Sequence, residues 1–140
     1  MQQGFYFEEL SEGQSAEMSH VVGAADIEAF AAVSGDTNPV HLDEAYAAAT
    51  PFGGRIAHGM LSAAYISAVL GTKLPGPGAI YLSQQMRFRR PVRIGDEVTA
   101  RVTVKALDDK RGHVTLETVC LVGGKAVVDG EAVVMVPKRS

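Results

Sequence analysis

His58-Gly59-Met60-Leu61-Ser62-Ala63-Ala64-Tyr65-Ile66-Ser67-Ala68-Val69-Leu70 is the stretch on which the fold turns. Leu61, Ala64, Tyr65, Ala68, Val69 and Leu70 surround the helical axis instead of lining one stripe, so a helix over Met60 to Leu70 belongs inside the protein. It is too short to cross a bilayer, and it carries Ser62 and Ser67. Gly71 is expected to close it, and Pro75-Gly76-Pro77-Gly78 reads as a loop.

Downstream of that loop the apolar period changes to two. Ile80, Leu82, Gln84, Met86 and Phe88 are expected on one face of a strand. Val98, Ala100, Val102, Val104 and Ala106 alternate with Thr99, Arg101, Thr103 and Lys105. A turn at Asp108 to Gly112 leads into Val114 to Val122, and Gly123-Gly124 signals a hairpin to a last strand from about Ala126 to Val136. Four consecutive strands with tight turns make an antiparallel sheet whose apolar face needs a cover, and the buried helix supplies it. One long buried helix wrapped by a curved antiparallel sheet is an α+β hot-dog fold.

Upstream, the chain reads as mostly helical. Ala24 to Val33 has Ile27, Phe30 and Ala31 at helical spacing, Asp26 and Glu28 in its first turn, and Gly35 placed to end it. Asn38-Pro39 calls for an extended or turn conformation, and a short helical piece follows from Asp43 to Ala49. Pro51-Phe52-Gly53-Gly54 is a turn. There is neither an internal repeat nor a low-complexity segment.

The chain's 140 residues suit a single domain spanning 1–140. A formal net charge of −3 argues against a nucleic-acid or anionic-membrane surface. The densest basic cluster is Arg87, Arg89, Arg90 and Arg93. Its two readings are a contact for the phosphates of coenzyme A and a solvated strand face. Cys120 is the one cysteine, so neither an intrachain disulfide nor a cysteine metal cage can form. It alternates with strand residues and reads as core. The N-terminus carries Glu8, Glu9, Glu12 and Glu17 and lacks the features of a signal peptide. A cytoplasmic location is the expectation.

Asp36 and His41 stand on either side of Pro39, so they cannot share a helical face. A turn can still bring them onto one small object such as a water molecule. A carboxylate beside an imidazole can hold a water and move protons both ways, as hydration and dehydration require. Asp and Asn are also ordinary turn formers, and a histidine beside a proline often only packs. Gly59 opens the buried helix with backbone N–H groups that no side chain blocks, which suits an oxygen gaining negative charge. The same glycine would also let the helix start pack tightly on a strand. Ser67, about two turns from Gly59, can hydrogen-bond a catalytic carboxylate or its own helix backbone; Ser62 is the rival for that role. The remaining histidines, His20, His58 and His113, show no metal-ligand spacing, so no metal is expected.

Ala32 to Asp43, with its core Ser34-Gly35-Asp36-Thr37-Asn38-Pro39-Val40-His41, resembles the hydratase motif of the MaoC-like (R)-specific enoyl-CoA hydratases, the short single-domain type that feeds polyhydroxyalkanoate synthesis. The likeness continues through Ile56-Ala57-His58-Gly59-Met60-Leu61, Leu74 to Leu82 and Pro91 to Val98, and so covers nearly the whole chain. It implies catalytic roles for Asp36 and His41, an oxyanion contact from the Gly59 amide, and a supporting hydroxyl at Ser67; Asn38 joins Ser67 in the supporting set. It also implies a homodimer with active sites near the subunit interface and joined sheets. The substrate would be a trans-2-enoyl-CoA, with coenzyme A part of the substrate and no separate cofactor. The alternatives are an acyl-CoA thioesterase of the same fold and a non-catalytic acyl-binding dimer module. Thioesterases of this fold usually carry a carboxylate on the helix, and Met60 to Leu70 has none.

Overall fold

Five strands and four α-helices form among residues 3–139, which the computed structural model describes. A 3-10 turn at Phe7–Glu9 precedes β1 (Ser15–Val21), α1 (Ala24–Ser34), α2 (Pro39–Leu42), α3 (Glu44–Ala48) and α4 (Gly59–Thr72). The remaining strands are β2 (Ile80–Phe88), β3 (Glu97–Asp108), β4 (His113–Val122) and β5 (Lys125–Met135). They make one sheet in the order β1-β3-β4-β5-β2, every neighbouring pair antiparallel.

α4 lies against β3, β1, β4 and β5. Its Leu61, Ile66, Val69 and Leu70 share one core with Val98, Val102 and Val104 of β3, Val114 and Leu116 of β4, and Ala132 and Val134 of β5. The hot-dog arrangement expected from the apolar helix and the alternating strands is therefore present. Gly123 and Gly124 both take positive φ (57° and 78°), which lets the tight turn from β4 to β5 follow the twist of the strands.

The structure departs from the sequence reading in four places. β1 lies in the half of the chain read as mostly helical. Its residues are almost all exposed, so it has little hydrophobic alternation to detect. Backbone pairing with β3 holds it at the sheet edge, helped by Arg101 donating to Glu17 at 2.8 Å and by a 2.8 Å hydroxyl pair between Ser19 and Thr99. Gly71 does not close α4, which continues to Thr72. One glycine costs a helix only ~1 kcal/mol, and the buried Leu70 and Leu74 on either side hold the turn in place. Ala106 does not follow Val104 inward, because a register shift between them leaves it exposed and turns Leu107 toward the core. Finally, β2 does not bury one clean face. A register shift between Tyr81 and Ser83 breaks the alternation, and Ile80, Leu82 and Phe88 are 52%, 46% and 54% exposed. β2 is the second edge of the sheet.

Candidate active site

Local hydrogen bonds shape the loop between α1 and α2. Gly35 takes φ 82° and ends α1 as expected, because the left-handed conformation costs glycine nothing. The Ser34 hydroxyl donates to Phe30 O at 2.6 Å and accepts the Asp36 N–H at 3.1 Å. Asn38 N–H donates to Asp36 Oδ1 at 3.2 Å, an Asx turn that fixes the carboxylate beside its own backbone. Asn38 then keeps the extended conformation its proline requires, and its Oδ1 accepts the Val40 N–H at 3.2 Å as the cap of α2. Pro39 occupies the first turn, where its missing N–H is not needed. Asn38 thus starts the helix that carries His41.

That helix buries His41 to 8% exposure. Its Nδ1 is 2.8 Å from Ile56 O, and a carbonyl only accepts, so Nδ1 carries a hydrogen and, in the neutral ring, Nε2 is the acceptor. Arg55 Nε donates to His41 O at 2.7 Å. Asp36, by contrast, is exposed.

The two sequence candidates come together around a third residue. His58, 2% exposed, lies with its ring centroid 3.9 Å from that of His41 and the planes 28° apart. Its Nε2 donates to Asp36 O at 2.9 Å. Phe30 of α1 packs on its ring at 4.9 Å. One ligand-capable atom from each of Asp36, His41 and His58 falls within 4.8 Å of the others. A tetrahedral zinc site draws its ligands inward on bonds of ~2 Å. Here His41 Nδ1 and His58 Nε2 are each already engaged by a backbone carbonyl.

Asp36, His41, His58, Gly59, Ser62 and Phe88 line a cavity of about 490 Å³ at the start of α4. Gly59 and Met60 N–H lie in the first turn of that helix, where no preceding helical carbonyl can accept them, and among the described residues neither donates to another loop or cap carbonyl. A Cβ built on Gly59 would come 2.6 Å from the Phe88 ring. This glycine allows a close approach to β2 and stands at the helix start among the cavity-lining residues.

The chain matches the model for the MaoC like domain over residues 8–125. It belongs to the MaoC-like family. It is 58% identical to an (R)-specific enoyl-CoA hydratase of Rhodospirillum rubrum over 96% of its length and 93% of that protein's. The R-hydratase PhaJ1 of Pseudomonas aeruginosa superposes with a TM-score of 0.92 at 50% identity, covering 98% of this chain and 88% of that one. An (R)-hydratase of A. caviae involved in PHA biosynthesis does so with a TM-score of 0.90 at 50% identity, covering 93% and 99%.

Within this MaoC-like chain, Ser67 is not brought to Asp36. It is exposed and lies outside the cavity lining, whereas the rival Ser62 is 2% exposed and inside it. Helix geometry explains the difference. At about 100° per residue, eight positions carry Ser67 roughly 80° to one side of Gly59, and three carry Ser62 roughly 60° to the other, which is the cavity side. The arginines also separate: Arg89 and Arg90 line the cavity, while Arg87 and Arg93 do not. Burial pushes the Cys120 thiol up to about 12, so it is protonated and inert, and its Sγ sits 3.5 Å from Ser62 O in the core. His58 and Phe88 went unnoticed as site residues. His58 is adjacent to Gly59, and that adjacency was the one signal available.

Proposed function

We propose that this protein adds water across the double bond of a trans-2-enoyl-CoA to give the (R)-3-hydroxyacyl-CoA. The observation that carries the proposal is the meeting, in one cavity, of the Asp36 carboxylate, the acceptor Nε2 of His41 and the free amide terminus of α4 at Gly59. The activities named for the relatives support it. Asp36 and His41 hold the water between them, and one of them takes its proton as the oxygen attacks C3. The thioester oxygen gains negative charge and is stabilised by the Gly59 N–H, a type of contact typically worth about 3–4 kcal/mol. Delivery of a proton to C2 on the same face completes the addition. The thioester itself activates the double bond, so the reaction needs neither a metal nor a redox cofactor. The supporting hydroxyl within one chain is that of Ser62.

Arg89 and Arg90 are positioned at the cavity for the phosphates of coenzyme A. Asp129 holds the Arg89 Nε at 3.0 Å, and Ala126 O accepts from Arg90 Nη1 at 2.8 Å. The active form is a homodimer, as the exposed apolar edge at β2 suggests.

The test is the loss of enoyl absorbance from crotonyl-CoA. Wild-type protein is expected to consume it, releasing no free thiol and forming the (R)-alcohol. Asp36→Asn is expected to lower kcat by ~10²–10⁴-fold with an unchanged circular dichroism spectrum. Release of thiol would instead identify a thioesterase, and binding without turnover an acyl-binding module.

A further inference from the structure

We infer that His58 is a positioning residue for the hydration, holding Asp36 and His41 in register with one another; the inference rests on the functional reading above. Every other hydrogen bond that shapes the Asp36 loop is local. Asp36 N–H reaches Ser34, Thr37 N–H reaches Gly35, Asn38 N–H reaches the Asp36 carboxylate, and His41 N–H reaches Asn38. Such bonds give the loop its shape but do not fix where it sits on the rest of the protein. Among the described residues, the bond from His58 Nε2 to Asp36 O is the only one tying positions 35–38 to a distant part of the chain, across 22 positions. It matters because Asp36 is exposed.

The same side chain sets the face of His41. Its ring stacks on the His41 imidazole, whose Nδ1 is anchored to Ile56 O. One rigid ring, backed by Phe30 and rooted at the first turn of α4, thus touches both residues that hold the water. The Gly59 amide follows His58 in the chain, so the base, the acid and the oxyanion donor all refer to one short segment.

The remaining nitrogen points to the same role. His58 Nδ1 is buried without a hydrogen-bond partner. A phenylalanine would fill this space and stack on His41 without burying an unpaired ring nitrogen, so packing alone does not account for a histidine. What the histidine adds is the Nε2–H aimed at the Asp36 carbonyl.

The experiment uses crotonyl-CoA with wild type, His58→Phe and His58→Gln. Phenylalanine keeps the ring and removes the donor; glutamine keeps an N–H donor at similar reach and removes the ring. Displacement of a catalytic group by about 1 Å can cost ~10²-fold in rate. His58→Phe is therefore expected to lose ~10–100-fold in kcat with KM within about threefold of wild type and no loss of thermal midpoint. His58→Gln is expected to recover roughly tenfold or more of that loss. The inference is overturned if His58→Phe retains the wild-type kcat, if the loss lies in KM alone, or if His58→Gln is no better than His58→Phe. Should His58→Phe fail to fold, His58→Leu against His58→Gln gives the same contrast of donor absent and donor kept. A wild-type protein that leaves crotonyl-CoA unhydrated would overturn the functional reading and this inference together, whereas a failure confined to the variants would overturn this one alone.

Discussion

Gly59 shows how little space one residue can occupy and still decide chemistry. A methyl at this position would stand 2.6 Å from one Phe88 ring atom and 2.7 Å from another. The ring is the far end of an exposed side chain on an edge strand, so it can swing away at small cost to the fold. It would swing across the cavity it lines. Gly59→Ala is therefore expected to lower kcat/KM on enoyl-CoA by about tenfold or more while shifting stability by less than ~1 kcal/mol; the paired measurement is steady-state kinetics with thermal denaturation. A drop in stability with unchanged kinetics would reduce Gly59 to its packing role.

At the scale of elements, α1 matters because its C-terminal end delivers Asp36, and its N-terminal end is held by charge. Asp26 accepts the Gly23 N–H at 2.8 Å, which draws its pKa below the ordinary carboxylate value against the opposing effect of burial; His20, 3.4 Å away, helps to a lesser degree. A carboxylate lowered in the folded state contributes stability that is complete above its unfolded pKa and is lost as pH falls through the folded one. Urea denaturation is thus expected to show Asp26→Asn a few tenths to ~1 kcal/mol less stable than wild type near neutral pH. The difference should vanish as pH drops below the carboxylate range. A gap that persists in acid would mean packing, and not the charge, anchors the helix.

For the molecule as a whole, the open question is the second edge of the sheet. β1 is the more polar edge, exposing Ser15, Glu17, Ser19 and His20 beside Met18 and Val21. β2 exposes larger apolar side chains: Ile80, Tyr81 and Leu82 at its start, and Phe88 at its end, where it lines the cavity. Edges of that kind invite another strand. If two copies join there, Leu82→Glu should convert a particle of about twice the 14.8 kDa chain mass into a monomer by light scattering. Activity should fall with it, since Phe88 of the same strand lines the cavity. A wild type that runs as a monomer would end the proposal.

The local pattern of the sequence determined whatever depends only on neighbours along the chain. The apolar circumference of Met60 to Leu70 made α4 a buried helix, the alternation around Val98 to Val104 made β3 a central strand, and Gly35 and Asn38 punctuated the loop that bears Asp36. Asp36, His41 and Gly59 were legible because they stand in a short motif and beside a helix start. Tertiary structure decided the rest, because it rested on contacts between segments far apart in the chain. β1 exists by pairing with β3 and shows no signal of its own. Ser62 lines the cavity and Ser67 does not, because the packing of α4 turned the Ser62 face toward it. His58 met Asp36 and His41 only when α4 docked against the loop from α1, and a stack of two imidazoles leaves no trace in spacing.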